Sequence, residues 1–180
     1  LTCSGMYNDK SLKVISGSLV KINGKMAHFK QIDVSECPAL EELDCAGCMS
    51  LEQLNVSGCS ALKALTVTIC PSFTNLDVSS CIELLDLTVG RTGITDLDLA
   101  NNKLLENLDC SLNYDLSKLD LSQNTNLKTL RCIRDDLKEL DISNNKKLTS
   151  IECGSNKLTH LICGNNTLSE LNSFSGDSQS

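Results

Sequence analysis

Tryptophan is absent, aromatic residues make up 3% of the chain, and 180 residues contain only 2 prolines and 2 histidines. So few flat rings leave little surface for stacking on sugars or bases. They also leave few of the Trp and Tyr anchors that dominate tight protein interfaces. No stretch approaches the roughly 18 consecutive apolar residues needed to cross a bilayer, so no segment reads as membrane-spanning. Lysine and arginine total 16 against 23 Asp and Glu, for a net charge of −7. Nucleic-acid backbones are bound through clustered cations, which this chain lacks, so nucleic acid is not an expected partner and basic or neutral protein surfaces are. No G-x-S-x-G motif and no glycine-rich phosphate loop occurs, and His28 and His160 are far apart. A non-catalytic protein with no cofactor, no metal and no small-molecule substrate is expected.

What the chain has is one short phrase, written many times. From Phe29 to Leu171 the pattern L-x-x-L-x-[LIVC]-x-x-[NC] returns every ten or eleven residues. Leu40-x-x-Leu43-x-Cys45-x-x-Cys48, Leu51-x-x-Leu54-x-Val56-x-x-Cys59 and Leu105-x-x-Leu108-x-Cys110-x-x-Asn113 are three instances. Alternate phrases resemble each other more than neighbours do: Leu97-Asp98 and Leu119-Asp120 interleave with Leu108-Asp109-Cys110 and Leu130-Arg131-Cys132. One turn of the chain is therefore 21 to 22 residues, with two short extended segments on opposite sides. Side chains of an extended segment alternate, so its second Leu and the residue two positions on face inward. Ten residues holding a strand and a bend have no room for a helix. The reading is a β-rich solenoid, with one continuous parallel sheet and a shorter, less regular one facing it. Residues 1–28 read as an N-terminal cap, 29–172 as the solenoid and 173–180 as a polar tail. Gly90-Arg91-Thr92-Gly93 lacks Asn or Cys in the turn slot, which predicts a local irregularity there.

These phrases resemble the bacterial leucine-rich-repeat proteins whose coil is a nested pair of ten- and eleven-residue halves. The resemblance implies a right-handed superhelix with little or no helix, a protein-binding role, and a secreted or cell-surface setting. Leu1 stands where an initiator Met would, in keeping with export and a removed leader.

Ten of the eleven cysteines fall in two slots of the phrase. Cys45, Cys110, Cys132, Cys153 and Cys163 replace an inward aliphatic residue and read as small core hydrophobes. Cys37, Cys48, Cys59, Cys70 and Cys81 occupy the turn slot that becomes Asn at Asn102, Asn113, Asn124, Asn145, Asn156 and Asn166. There an amide can bond backbone groups that the turn leaves open, and a thiol does so more weakly. Cys45-Ala-Gly-Cys48 also has the form of a redox or zinc C-x-x-C, but no second pair at metal spacing follows. Cys3 stands outside the register and reads as the one reactive thiol.

Two surface series are candidate binding sites. On one side Asp77, Asp98, Asp120 and Asp141 recur at the outward position of successive coils, forming an acidic stripe. Carboxylates one strand spacing apart repel by about 1 kcal/mol in water, and Lys118 and Lys138 lie where they could offset this. The stripe either recruits a basic protein surface or bonds exposed turn groups. The other side is more varied, and Arg131, Arg134, Tyr114 and Glu152 form a second candidate patch. Three functions remain open: a protein-binding module displaying a sheet face, a spacer holding another domain away from a surface, and thiol or metal chemistry at Cys45 and Cys48.

Overall fold

The computed structural model describes residues 1–6, 10–164, 168 and 170–172. Short extended segments alternate with turns throughout, and no helix occurs among these residues. The strands are β1 (Ser11–Ile15), β2 (Lys21–Asn23), β3 (Gln31–Glu36), β4 (Glu42–Asp44), β5 (Gln53–Asn55), β6 (Ala64–Cys70), β7 (Asp86–Thr92), β8 (Asn107–Asp109), β9 (Thr129–Arg131), β10 (Glu139–Asp141), β11 (Ser150–Glu152), β12 (His160–Ile162) and β13 (Glu170–Asn172).

All pairing between these strands is parallel and joins one coil to the next. Eight strands form a continuous sheet in the order β13-β11-β9-β8-β7-β6-β4-β2. Partners within it lie 21 or 22 residues apart, as in Lys21↔Glu42 and Ala64↔Asp86, shortening to 20 at Ser150↔Glu170. The opposite side is interrupted. It carries β1-β3-β5 at one end and β10-β12 at the other. Between them the segments around Leu76, Leu97 and Leu119 send leucines inward but form no ladder. This is the expected solenoid with one continuous and one broken parallel sheet.

The core is a column of stacked leucines. Leu40, Leu43, Leu51, Leu62 and Leu65 are buried, with Phe29 and Phe73 the largest fully enclosed side chains. Ile82-Glu83-Leu84-Leu85-Asp86-Leu87, which the pattern alone could set in two registers, takes the one that buries Leu84 and Leu87 and exposes Ile82. Each coil shields only its neighbours, so burial is local and repeats along the axis.

One backbone device recurs after the strands of the continuous sheet. The residue before each turn slot has positive φ: Gly5 (67°), Met26 (54°), Gly47 (74°), Ile69 (56°), Arg91 (54°), Leu112 (67°), Arg134 (58°) and Ser155 (57°). This left-handed step turns the amide along the stack, where it donates to the next coil. Met26 N–H reaches the Ala46 carbonyl at 2.8 Å, Leu112 that of Ile133 at 2.7 Å and Arg134 that of Gly154 at 3.0 Å. The ladder between β6 and β7 accordingly pairs Thr68 with Gly90 and Cys70 with Thr92, stepping over Ile69 and Arg91. The irregularity expected at Gly90–Gly93 is thus present at Arg91, but it is common to every coil. Gly90 itself is required, because a Cβ there would lie 2.8 Å from the Ser111 carbonyl oxygen.

A Cβ-bearing residue in this conformation costs about 1–2 kcal/mol, more for a β-branched one. Ile69 is β-branched and partly exposed, so it loses little packing on truncation. Ile69→Gly is therefore expected to raise the unfolding free energy by about 1 kcal/mol in chemical denaturation, with Ile69→Ala gaining less. A loss of stability in the glycine variant would contradict the assigned backbone.

Candidate functional site

The turn slots form two columns, one on each side of the core. Beside the continuous sheet the column reads Cys48, Cys70, Thr92, Asn113, Asp135 and Asn156; on the broken side it reads Cys37, Cys59, Cys81, Asn102, Asn124 and Asn145. Thiols donate one bond to a carbonyl of the preceding coil, Cys48 Sγ to Gly24 at 3.1 Å and Cys59 Sγ to Val34 at 3.2 Å. Amides donate two. Asn124 Nδ2 reaches the Leu99 carbonyl at 3.0 Å and that of Asn102 at 2.9 Å, and Asn113 Nδ2 reaches Val89 at 2.8 Å and Cys110 at 2.6 Å. Asn166 lies outside the described residues.

The eleven cysteines are unpaired thiols, ten of them buried and Cys163 partly so. Cys45 and Cys48 are buried, unpaired thiols close enough to influence each other. The neighbouring Cys48, followed by burial, pushes the Cys45 thiol well above its usual range, while the same interaction draws Cys48 down. Cys3 corrects the sequence reading. Its N–H bonds the Asn23 carbonyl at 2.9 Å, and its side chain lies against Gly24, in the inward slot that Cys45 fills later. Cys3 is buried and burial raises its thiol, so it is in register and is not a reactive terminal cysteine.

Asp135 is the site that sequence reasoning missed, although Leu127-x-x-Leu130-x-Cys132-x-x-Asp135 shows an acid standing in an amide slot. It is buried, with 6% of its surface exposed. Its Oδ1 accepts the Asn113 N–H at 2.8 Å, just as Asn113 Oδ1 accepts the Thr92 N–H at 3.0 Å one coil earlier. A carboxylate offers no proton where the amides of Asn113 and Asn156 donate to carbonyls, whereas a carboxylic acid does. Burial pushes the carboxyl up to about 7, helped by the nearby Asp109 charge and opposed by the bonds from Asn113 and Cys110. Because the folded protein holds a proton that the unfolded chain has released, the contribution of Asp135 is fully present below about pH 4 and is lost as pH rises through about 7. Asp135→Asn is expected to stabilise the fold at pH 8 by on the order of a few kcal/mol, with little change at pH 4, flattening the profile between them in thermal denaturation. An equal effect at both pH values would refute a buried acid.

The acidic stripe has a local occupation. Asp77, Asp98, Asp120 and Asp141 each accept, through Oδ1, the backbone N–H two residues on: Ser79 at 2.9 Å, Ala100 at 3.0 Å, Ser122 at 2.9 Å and Ser143 at 2.8 Å. Bonds from the serines hold Asp77, Asp120 and Asp141 below the usual carboxylate range. Each side chain closes its own turn. Asp44 and Asp109 do the same beside the continuous sheet, bonding Ala46 and Ser111 at 3.0 Å. Where the broken side lacks a ladder the coils leave surface clefts. One of about 430 Å³ is lined by Lys118, Leu119, Asp120, Lys138 and Asp141, and the next, of about 310 Å³, by Leu97, Asp98, Lys118 and Asp120. Lys118 and Lys138 share these clefts with the aspartates without pairing to them.

The second candidate patch divides. Arg131 lies on the continuous sheet and bridges Asp109 at 3.3 Å and Glu152 at 3.0 Å, so three coils are joined by one guanidinium. Similar ties run along the same face: Lys21 to Glu42, Lys63 to Glu41 at 3.0 Å, Lys128 to Glu106 at 2.7 Å, and Asn107 to Asp86 at 2.6 Å. Tyr114 and Arg134 stand instead in turns along the edge of that sheet, both exposed. The eight candidate residues therefore occupy three surfaces: the broken side, the continuous sheet face and one edge.

No protein-family model matches the chain, and no curated protein matches it. Solved structures do. The functional domain of InlJ from Listeria monocytogenes, which includes a cysteine ladder, is 27% identical over 81% of this chain and 44% of that one, with a TM-score of 0.56. A leucine-rich-repeat protein of Leptospira interrogans superposes with a TM-score of 0.67 at 19% identity, over 82% of this chain and 43% of that one. Internalin F of Listeria monocytogenes gives a TM-score of 0.50 at 14% identity, over 79% and 60% of the two chains. The chain spans less than half the length of the first two.

Proposed function

Because the chain is a leucine-rich-repeat solenoid of the 21- to 22-residue type found in bacterial proteins, we propose that it is a non-catalytic protein-interaction module. It presents its continuous sheet face to a protein partner from a secreted or cell-surface setting. The observation that carries this reading is where the repeat varies. Inward positions hold apolar residues, mostly small or aliphatic, from coil to coil, turn slots are mostly Cys or Asn, and the stripe aspartates serve their own turns, as Asp44 and Asp109 do on the sheet. The outward positions of the continuous sheet change freely instead, running Glu42, Ala64, Asp86, Asn107, Thr129 and Ser150 in one row and Asp44, Thr66, Thr88, Asp109, Arg131 and Glu152 in the next. Eight hydrogen-bonded strands hold these rows on a rigid surface, and variable side chains on a rigid frame are what selective recognition uses. Acidic groups outnumber basic ones in both rows, which favours a basic partner. Structures of internalins and of the Leptospira repeat protein support the fold on which this rests.

A spacer is the second reading. The ion pairs along the sheet satisfy many of its charges internally, as a stalk would require. Thr66→Arg with Thr88→Arg, at the centre of the sheet face, separates the two. The pair is expected to weaken capture of the partner by at least about tenfold in surface-immobilised binding, with Asp98→Asn and Asp120→Asn changing it far less. Binding unaffected by the sheet-face pair would leave the spacer reading.

A further inference from the structure

The left-handed row builds a ridge along the edge of the continuous sheet, and what stands on it is not what the backbone prefers. Gly5 and Gly47 show the residue that suits this conformation. Elsewhere on the row the chain places Ile69, Arg91, Leu112 and Arg134, all long or branched side chains in a backbone that disfavours them. The coil-to-coil bond does not require them, because it uses the backbone amide; Ile69, Arg91 and Arg134 are exposed and Leu112 is half-buried. Ile69 is 41% exposed, and Tyr114, on the next row of the same turns, is 64% exposed. Tyr114 is the one aromatic ring standing free among the described residues.

Two unpaired guanidiniums also stand close together on this edge. Among the described residues, seven of the thirteen lysines pair with a carboxylate and Arg131 pairs with two, while Lys103, Lys118, Lys138 and Lys147 stand without a carboxylate partner on other surfaces. Arg91 and Arg134 pair with none, although Asp115 and Asp136 are carried on neighbouring turns and Asp136 is held by Lys157. Two coils separate the arginines, roughly 10 Å at one strand spacing per coil, with Leu112 and Tyr114 between them. A chain of net charge −7 thus carries two unpaired guanidiniums flanking an exposed ring and aliphatic side chains on one edge, with Asp115 an exposed acid beside Tyr114. Guanidinium groups present forked donors that match carboxylates, and a flanking ring and aliphatic side chains accept an apolar neighbour.

We propose that this ridge, centred on Arg91, Tyr114 and Arg134 and continued by Ile69 and Leu112, is a second docking surface. It takes a protein segment that carries carboxylates interspersed with apolar side chains. The occupant is opposite in charge to the one expected on the sheet face, so a single chain can hold two different partners on adjoining surfaces.

The test is selection of short random peptides from a displayed library on the intact wild-type chain, followed by rebinding to variants. Arg91→Gly with Arg134→Gly removes both guanidiniums and leaves a residue that the backbone favours, so the melting temperature should hold or rise while binding fails. The expected result is enrichment of peptides rich in Asp or Glu and apolar residues, whose affinity falls at least about tenfold on the double glycine variant and declines with added salt. The same peptides should retain their affinity for the Thr66→Arg, Thr88→Arg chain, which keeps failure of the ridge distinct from failure of the sheet face. No enrichment, enriched peptides without carboxylates, or undiminished binding to the folded double glycine variant would each overturn the proposal.

Discussion

Most described coils of this protein are tied to the one before by an Asn or Cys side chain in the turn slot, donating to carbonyls that the turn cannot satisfy by itself, with Thr92 and Asp135 the exceptions. Asn102, Asn124 and Asn145 make two such bonds each, and Cys37, Cys59 and Cys81 fill the same place with a thiol. Leucine burial supplies most of the free energy, but it is non-directional and would tolerate coils that slip or rotate. The slot bonds fix rotation and spacing. Because a buried carbonyl left without a donor is costly, the coil can close only with its leucines pointing inward. The change from Cys to Asn along both columns shows that volume and one donor suffice near the N-terminal end, while the later coils have the stronger, two-bond link.

That division of labour determines which surfaces are available for function. The stripe aspartates, conspicuous as a row of like charges, are local structural groups first, since each closes a turn. The continuous sheet face carries variable side chains, several of which also tie neighbouring coils by ion pairs. Side chains that vary from coil to coil without disturbing the inward leucines stand on the continuous sheet face and on the left-handed edge.

The fold was almost wholly legible in the residue spacing. A phrase of ten or eleven residues with leucines three apart admits a strand and a turn and nothing longer, and the two phrase types gave the coil length. Inward cysteines and slot cysteines separated by position alone. Three features were not legible. Cys3 looked out of register because only one residue of its strand pairs, Thr2 with Asn23. Asp135 was not singled out, since an Asp in an amide slot differs from Asn by one atom in the sequence but in the core by a proton. The left-handed row was hidden because its occupants are Met, Ile, Arg, Leu and Ser at six of eight places, rather than the Gly or Asn that normally announce this conformation. The candidate residues were found one by one, but their separation onto three surfaces follows from turn geometry, which spacing does not encode.

The slot bond is tested most directly by Asn124→Ala, measured by equilibrium denaturation against the wild-type chain. The account expects a loss of about 2 kcal/mol or more, from two broken bonds to Leu99 and Asn102 in a closed core. A variant within about 0.5 kcal/mol of the wild type, the range of an ordinary surface substitution, would show that leucine packing alone holds the coils in register and would contradict it.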